Sequence, residues 1–115
     1  MARYKIIVNP IAGRGRAATV VEEIRREFDS TGTTYDLVLT QRAGDAIILA
    51  QQAADEGYDL LVAVGGDGTT QEVINGLMSS RNGANCRIAI IPVGSGNDFA
   101  AVRNVPTDII QACRV

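Results

Sequence analysis

Short apolar runs alternate with amphipathic stretches along this chain. Residues 6–8, 35–39, 60–64 and 87–92 are short runs rich in β-branched and other apolar side chains, and they predict four strands. The third run is apolar throughout. A strand without polar alternation is typical of a parallel sheet that helices cover on both faces.

The stretches between these runs have helical periodicity. From Arg16 onward the apolar positions recur at helical spacing and the remaining positions are charged, which predicts a helix that ends near residues 30–32. Residues 45–54 and 69–79 predict two more helices, with Gly57 as a left-handed cap after the second. Further helical stretches begin at Asp98 and Pro106. The core positions predicted for the first helix are Ala17, Val20 or Val21, Ile24 and Phe28.

The order of elements predicts an α/β fold, a doubly wound parallel sheet with helices on both faces. Crossovers between parallel strands are right-handed, and ligands bind where such strands end. The loops that follow the predicted strands are rich in glycine or small polar residues, at 9–15, 40–44, 65–69 and 94–98. We expect all of them at one edge of the sheet.

The amino-acid composition excludes several classes of function. The 115 residues fit one domain, and a net charge of −2 with 46% hydrophobic residues predicts no nucleic-acid partner. The sequence contains no histidine, so Ser-His-Asp and Cys-His chemistry are excluded, and a base must be a carboxylate, a lysine or a group from a partner. Cys86 and Cys113 predict neither a disulfide framework nor zinc. With no signal peptide or membrane span in view, we expect a cytoplasmic protein.

The glycine-rich run at 65–69 is the strongest candidate site. Its glycines let the backbone approach a ligand, and the following helix presents unpaired N–H groups to an anion. Asp67 would repel phosphate unless Mg²⁺ lies between them or the side chain braces the loop, and Asp98 beside the last glycine loop could join it. The alternative is a plain turn in which Thr69 caps the helix and forms a capping box with Glu72.

Other features are weaker. Gly13, Gly15 and Ala18 satisfy a dinucleotide fingerprint, but Asp36 lies near the start of the second strand, whereas the fingerprint needs its acid at the end. Arg14 and Arg16 either bind phosphate or are simply solvated, and we favour solvation. No Walker-type loop is present. Asn75 and Gly76 are poor helix formers, which predicts a hydrogen-bonding role for the first and close packing at the second.

Three motifs taken together resemble one family. Asn-Pro-x-Ala-Gly-x-Gly at 9–15, Gly-Gly-Asp-Gly-Thr-x-x-Glu-x-x-Asn-Gly at 65–76, and Pro-x-Gly-Ser-x-Asn-Asp-Phe-Ala at 92–100 resemble the catalytic domain of diacylglycerol kinases, which include bacterial lipid kinases and sphingosine and ceramide kinases. The central motif is shared with NAD kinases and, loosely, with phosphofructokinases, so the outer two decide. Ala12 stands where relatives often have serine. The resemblance covers residues 4–115 and implies the N-terminal domain fold of NAD and diacylglycerol kinases.

The resemblance also implies the site. It indicates an ATP site with Mg²⁺ and no catalytic residue within these 115 residues, and it assigns Asp67 and Asp98 to the metal only indirectly. The residues that it implies for nucleotide binding are Asn9, Pro10, Ile11, Ala12, Gly13, Thr40, Gly66, Asp67, Gly68, Thr69, Thr70, Gln71, Glu72 and Ser95.

The implied reaction is transfer of the ATP γ-phosphoryl group to a lipid hydroxyl. In that family the general base and much of the lipid site belong to a second, β-rich domain. Residues 1–115 are therefore expected to be the nucleotide-binding domain alone and nearly inactive by themselves. The whole protein would be peripheral to the membrane through the missing domain. A surface left uncovered by that domain would favour homodimers. The alternatives are an NAD kinase or sugar-phosphate kinase domain, or a nucleotide-binding module without catalytic function.

Overall fold

The computed structural model describes residues 3–93, except for the side chain of Arg14. Its sheet has four parallel strands, β1 (Tyr4–Val8), β2 (Tyr35–Leu39), β3 (Leu60–Gly65) and β4 (Arg87–Pro92), in the order β2-β1-β3-β4. This confirms the predicted doubly wound sheet. The predicted helices at Asp98 and Pro106 and the loop at 94–98 lie outside the described residues.

One face of the sheet is covered by helix α1 (Arg16–Thr31). The predicted core positions of this helix are all buried, and they pack on Ile6, Val8 and Val62 of the two central strands. The helix ends at Gly32, whose φ of 71° closes it in the left-handed conformation. A short 3₁₀ turn, Ala12–Gly15, leads into α1.

The other face is covered by α2 (Asp45–Asp55) and α3 (Asp67–Ser79), which pack on Ile7, Leu61 and Ala63. The two helices also pack closely on each other. Gly76 of α3 is buried, and a Cβ at this position would lie 2.2 Å from the carbonyl oxygen of Ile47 in α2. The predicted close packing at Gly76 is therefore confirmed, and its cause is the approach of the two backbones.

The register brings the carboxyl ends of the strands together. Val8 is paired with Leu39 on one side and with Val64 on the other, and Gly65 is paired with Pro92. The ladder continues one step further, because Asn9 donates its N–H to Val64 and Thr40 donates its N–H to Val8. The direction of winding reverses between β1 and β3, which is where sheets of this class leave a crevice.

Candidate functional site

A cleft of about 580 Å³ opens at the carboxyl edge of the sheet. The loops after β1 and β2 contribute to its walls, together with the first turns of α2 and α3. The lining residues are Asn9, Pro10, Ile11, Thr40, Gln41, Arg42, Ala43, Ala46, Gly68, Thr69 and Glu72. The cleft therefore joins segments that are distant in sequence but follow neighbouring strands.

The loop after β1 is organised by Asn9. Its side-chain oxygen accepts the N–H of Ile11 at 3.3 Å, and its carbonyl accepts the N–H of Ala12 at 3.1 Å. An asparagine that bonds to the backbone two residues ahead forms an Asx turn. The turn leaves Ile11 with 79% of its surface exposed beside the cleft. The Asn-Pro pair thus shapes an apolar lip.

The glycine turn after β3 is tighter than the sequence alone suggests. A Cβ on Gly65 would lie 2.6 Å from the hydroxyl oxygen of the buried Thr69, so a larger residue would push this side chain away. Helix α3 begins at Asp67, two positions before the predicted start, and its N-cap is Gly66 without any side-chain cap. The N–H groups of its first turn have no partners inside the helix and lie at the carboxyl edge of the sheet.

The predicted capping box between Thr69 and Glu72 is wrong for the same reason. Thr69 lies inside the first turn of α3, where it cannot act as the N-cap. Glu72 instead accepts the N–H of Gly44, at 3.2 Å, from the loop after β2. The helix start relies on glycine and on exposed backbone rather than on a side-chain cap, which leaves its N–H groups available to an anion.

The loop after β2 is held by the first residue of α2. Asp45 accepts the N–H groups of Gln41 and Arg42 at 2.8 and 3.2 Å through one carboxylate oxygen. Gly44, between them and the helix, has a φ of 91°. Among the described residues that line the cleft, Arg42 is the cation and Glu72 the anion. A guanidinium placed at the end of a strand is well suited to phosphate.

The residues implied for nucleotide binding divide into three groups. Asn9, Pro10, Ile11, Thr40, Gly68, Thr69 and Glu72 line the cleft. Ala12, Gly13, Gly66, Asp67, Thr70 and Gln71 are their neighbours in the chain but do not line it. Ser95 lies outside the described residues. So do Asp98, which the resemblance assigns indirectly to the metal, and Cys113.

Sequence reasoning did not single out four lining residues, which are Gln41, Arg42, Ala43 and Ala46. The sequence predicts the loop at 40–44 at the ligand-binding edge of the sheet, but Thr40 is the residue of this loop that it assigns to the nucleotide. The available signal was an arginine just after a strand and just before a helix, at an edge where ligands bind. Arg16, in contrast, is exposed on the first turn of α1 and does not line the cleft.

The position of Asp36 at the amino edge of the sheet excludes the dinucleotide fingerprint as the basis of a site in the cleft. Asp36 is the second residue of β2, at the end of the strand away from the cleft, and it accepts a hydrogen bond from the hydroxyl of Tyr58. This hydrogen bond, together with burial, raises the pKa of Tyr58. Arg3 lies over the same ring, 4.2 Å from its centroid. Asp36 belongs to this structural cluster and cannot hold a ribose in the cleft.

Asp67 is exposed at the first position of α3. Residues 3–93 contain no group of three or more histidine, cysteine or acidic side chains that could hold a metal ion by themselves. Mg²⁺ at phosphate sites commonly takes one or two carboxylates and completes its shell with phosphate oxygens and water. An exposed Asp67 beside the helix N-terminus fits that limited role.

An α/β domain with a glycine turn before a helix and a cleft at the switch point of a doubly wound parallel sheet has the architecture of ligand-binding α/β folds. The family model for "Diacylglycerol kinase catalytic domain" matches residues 3–115. This chain is a member of that family.

Relatives with known names agree. A diacylglycerol kinase of Staphylococcus carnosus is 36% identical over 113 residues, which are 98% of this chain and 36% of that protein. A diacylglycerol kinase of Staphylococcus aureus is 34% identical over 98% of this chain and 35% of its own length. The chain thus spans about a third of the curated relatives that it matches.

Solved structures give the same result for the fold. The crystal structure of a diacylglycerol kinase from Bacillus anthracis superposes with a TM-score of 0.70 at 34% identity, over 97% of this chain and 40% of that one.

None of the helices between residues 3 and 93 combines the length and the apolar character that crossing a membrane requires.

Proposed function

We propose that this chain binds ATP in the cleft at the carboxyl edge of its sheet and serves as the nucleotide-binding domain of a lipid kinase. The reaction would transfer the γ-phosphoryl group to a hydroxyl of a diacylglycerol-type lipid, as the family name suggests. The observation that carries the proposal is the cleft itself, where the loops after β1 and β2 meet the first turn of α3. Its volume of about 580 Å³ is in the range of small-molecule sites.

The walls of the cleft divide by chemistry. Pro10, Ile11 and Ala43 offer an apolar surface, which suits a base, while Arg42 and the start of α3 offer positive charge and N–H groups, which suit phosphates. In phosphoryl transfer the protein mainly positions the reactants and stabilises charge. This chain would hold the triphosphate by its own backbone and Arg42 and would fix the base against the lip formed by Ile11.

Asp67 would hold a Mg²⁺ ion on the phosphates. A bound ion would offset negative charge on the phosphates. The described cleft lining contains one carboxylate, that of Glu72, and a hydrogen bond to Gly44 occupies one of its oxygens. The resemblance to diacylglycerol kinases implies that the base that activates the lipid hydroxyl lies in a second domain, which also forms much of the lipid site.

The direct test uses protein expressed from the full-length gene. Labelled ATP should transfer its γ-phosphoryl group to diacylglycerol presented in mixed micelles, with sphingosine and NAD as competing acceptors. Phosphorylation of NAD alone would contradict the lipid-kinase proposal. Tight binding of ATP that is indifferent to Mg²⁺, without transfer to any acceptor, would instead support a non-catalytic nucleotide-binding module.

A further inference from the structure

Glu72 connects two sides of the cleft that the sequence separates by 28 residues. It lies on α3, and its carboxylate oxygen Oε1 accepts the N–H of Gly44 at 3.2 Å in a half-buried hydrogen bond. Gly44 is the residue before α2 and has a φ of 91°, a conformation that favours glycine. The helix that begins at the glycine turn is thereby tied to the 40–44 loop, by which we mean residues 40 to 44.

The 40–44 loop is held at each end and in the middle. At its start Thr40 donates its N–H to Val8 at 2.8 Å, and in the middle Gln41 and Arg42 donate to Asp45. At the end of the loop, the carbonyl of Gly44 accepts the N–H of Ile47 at 3.2 Å, and the N–H of Gly44 donates to Glu72, which is the one of these bonds that comes from α3. Without it, we expect the last part of the loop to move relative to α3, and Arg42 to move with it.

We propose that Glu72 is a positioning residue, which acts on the nucleotide through Gly44 and the 40–44 loop rather than as a ligand to Mg²⁺ or phosphate. The inference rests on the proposed nucleotide function. It also explains why an acidic side chain lines a cleft meant for a polyanion. The carboxylate is used as a hydrogen-bond acceptor for the backbone, and the loop that it holds carries Arg42, whose charge favours phosphate.

The test compares E72A with E72Q in the full-length protein. Alanine removes the acceptor, whereas the glutamine side-chain carbonyl can still accept the N–H of Gly44 while carrying no charge. Without nucleotide, the Gly44 amide should exchange its hydrogen clearly faster in E72A than in the wild type. The affinity for ATP should fall about tenfold in E72A if the released loop adopts the binding arrangement about a tenth of the time.

E72Q should recover most of that affinity, and the loss in E72A should be the same with and without Mg²⁺. A loss in E72Q as large as in E72A, and seen only with Mg²⁺, would identify Glu72 as a metal ligand and overturn the proposal. A double-mutant cycle with R42Q tests the route through the loop. R42Q should weaken binding much less in the E72A background than in the wild type, whereas additive losses would exclude this route.

The exchange measurement separates this inference from the proposed function. This measurement needs no nucleotide. Unchanged hydrogen exchange at the Gly44 amide in E72A would therefore overturn the positioning role of Glu72 and leave the proposed nucleotide function untouched. A wild-type protein that binds no ATP would overturn the nucleotide function and, with it, the effect that we propose for Glu72 on binding.

Discussion

Replacement of Gly68 by alanine should make the protein slightly more stable and a poorer nucleotide binder at the same time. Gly68 is the second residue of α3, its φ is not in the left-handed region, and a Cβ built on it would have no heavy atom of residues 3–93 within 4 Å. The methyl group therefore meets no described atom, and Gly68 is among the residues that line the cleft. Nothing in the part of the chain that the structure describes requires glycine here.

The two effects can be given magnitudes. Alanine is preferred over glycine in a helix by about 1 kcal/mol in the interior and by less in the first turn, so about 0.5 kcal/mol of stabilisation is expected. In a protein of this size such a gain raises the melting temperature by about 2 °C. If a phosphate oxygen approaches the N–H groups at the start of α3, the methyl group would displace it. Loss of one hydrogen bond to a charged group, about 1.5–3 kcal/mol, weakens binding by tenfold to a hundredfold.

The assay is thermal unfolding of G68A together with titration of ATP by calorimetry. G76A is the matched control in the same helix. There the new Cβ would lie 2.2 Å from the Ile47 carbonyl oxygen and 2.9 Å from the Cβ of Ala50, so stability should fall by about 1–3 kcal/mol. If G68A binds ATP as tightly as the wild type, no phosphate lies against the start of α3 and the proposed binding mode is refuted. A less stable G68A would show that the local geometry is different.

Three further predictions follow from individual side chains. D67N should bind ATP more weakly than the wild type when Mg²⁺ is present and more tightly when Mg²⁺ is chelated, because the carboxylate repels phosphate unless a cation lies between them. Equal changes in both titrations would show that Asp67 does not hold the metal ion. The hydrogen bond to Asp36 raises the pKa of Tyr58 in the folded state, so its contribution to stability is complete below the unfolded pKa of about 10 and is lost as the pH rises through the folded value. Denaturant titrations should therefore show a smaller alkaline loss of stability in Y58F than in the wild type, and identical alkaline slopes would disprove the coupling. Burial raises the pKa of the Cys86 thiol, and this thiol should react with iodoacetamide at pH 8 only after the protein is unfolded, so that rapid labelling of the native protein at this position would contradict its burial.

Much of the fold followed from local patterns. The apolar run at 60–64 predicted a strand buried on both faces, and β3 is buried at every position. The helical spacing from Ala17 to Phe28 identified the buried face of α1. These predictions succeeded because side chains return to the same face about every two residues in a strand and every 3.6 residues in a helix. The buried face can therefore be identified from a short stretch of sequence.

Local patterns misled where the partner of a residue lies elsewhere in the chain. Thr69 and Glu72 have the spacing of a capping box, yet Glu72 bonds to Gly44 and the N-cap of α3 is Gly66. The three-residue separation of Thr69 and Glu72 favoured a partner within the same helix. A half-buried carboxylate, however, bonds to an N–H group that the tertiary structure brings near and that has no other partner.

The sequence by itself determined the order of strands and helices, the faces that they bury, and the glycine turn at one edge of the sheet. It also determined the family, because three motifs occur in the right order. Only the tertiary structure decided which loops share a cleft. Arg42 and Ala46 line it because the register of parallel strands places the end of β2 beside the ends of β1 and β3. Strand pairing is a long-range interaction, and local periodicity does not encode it.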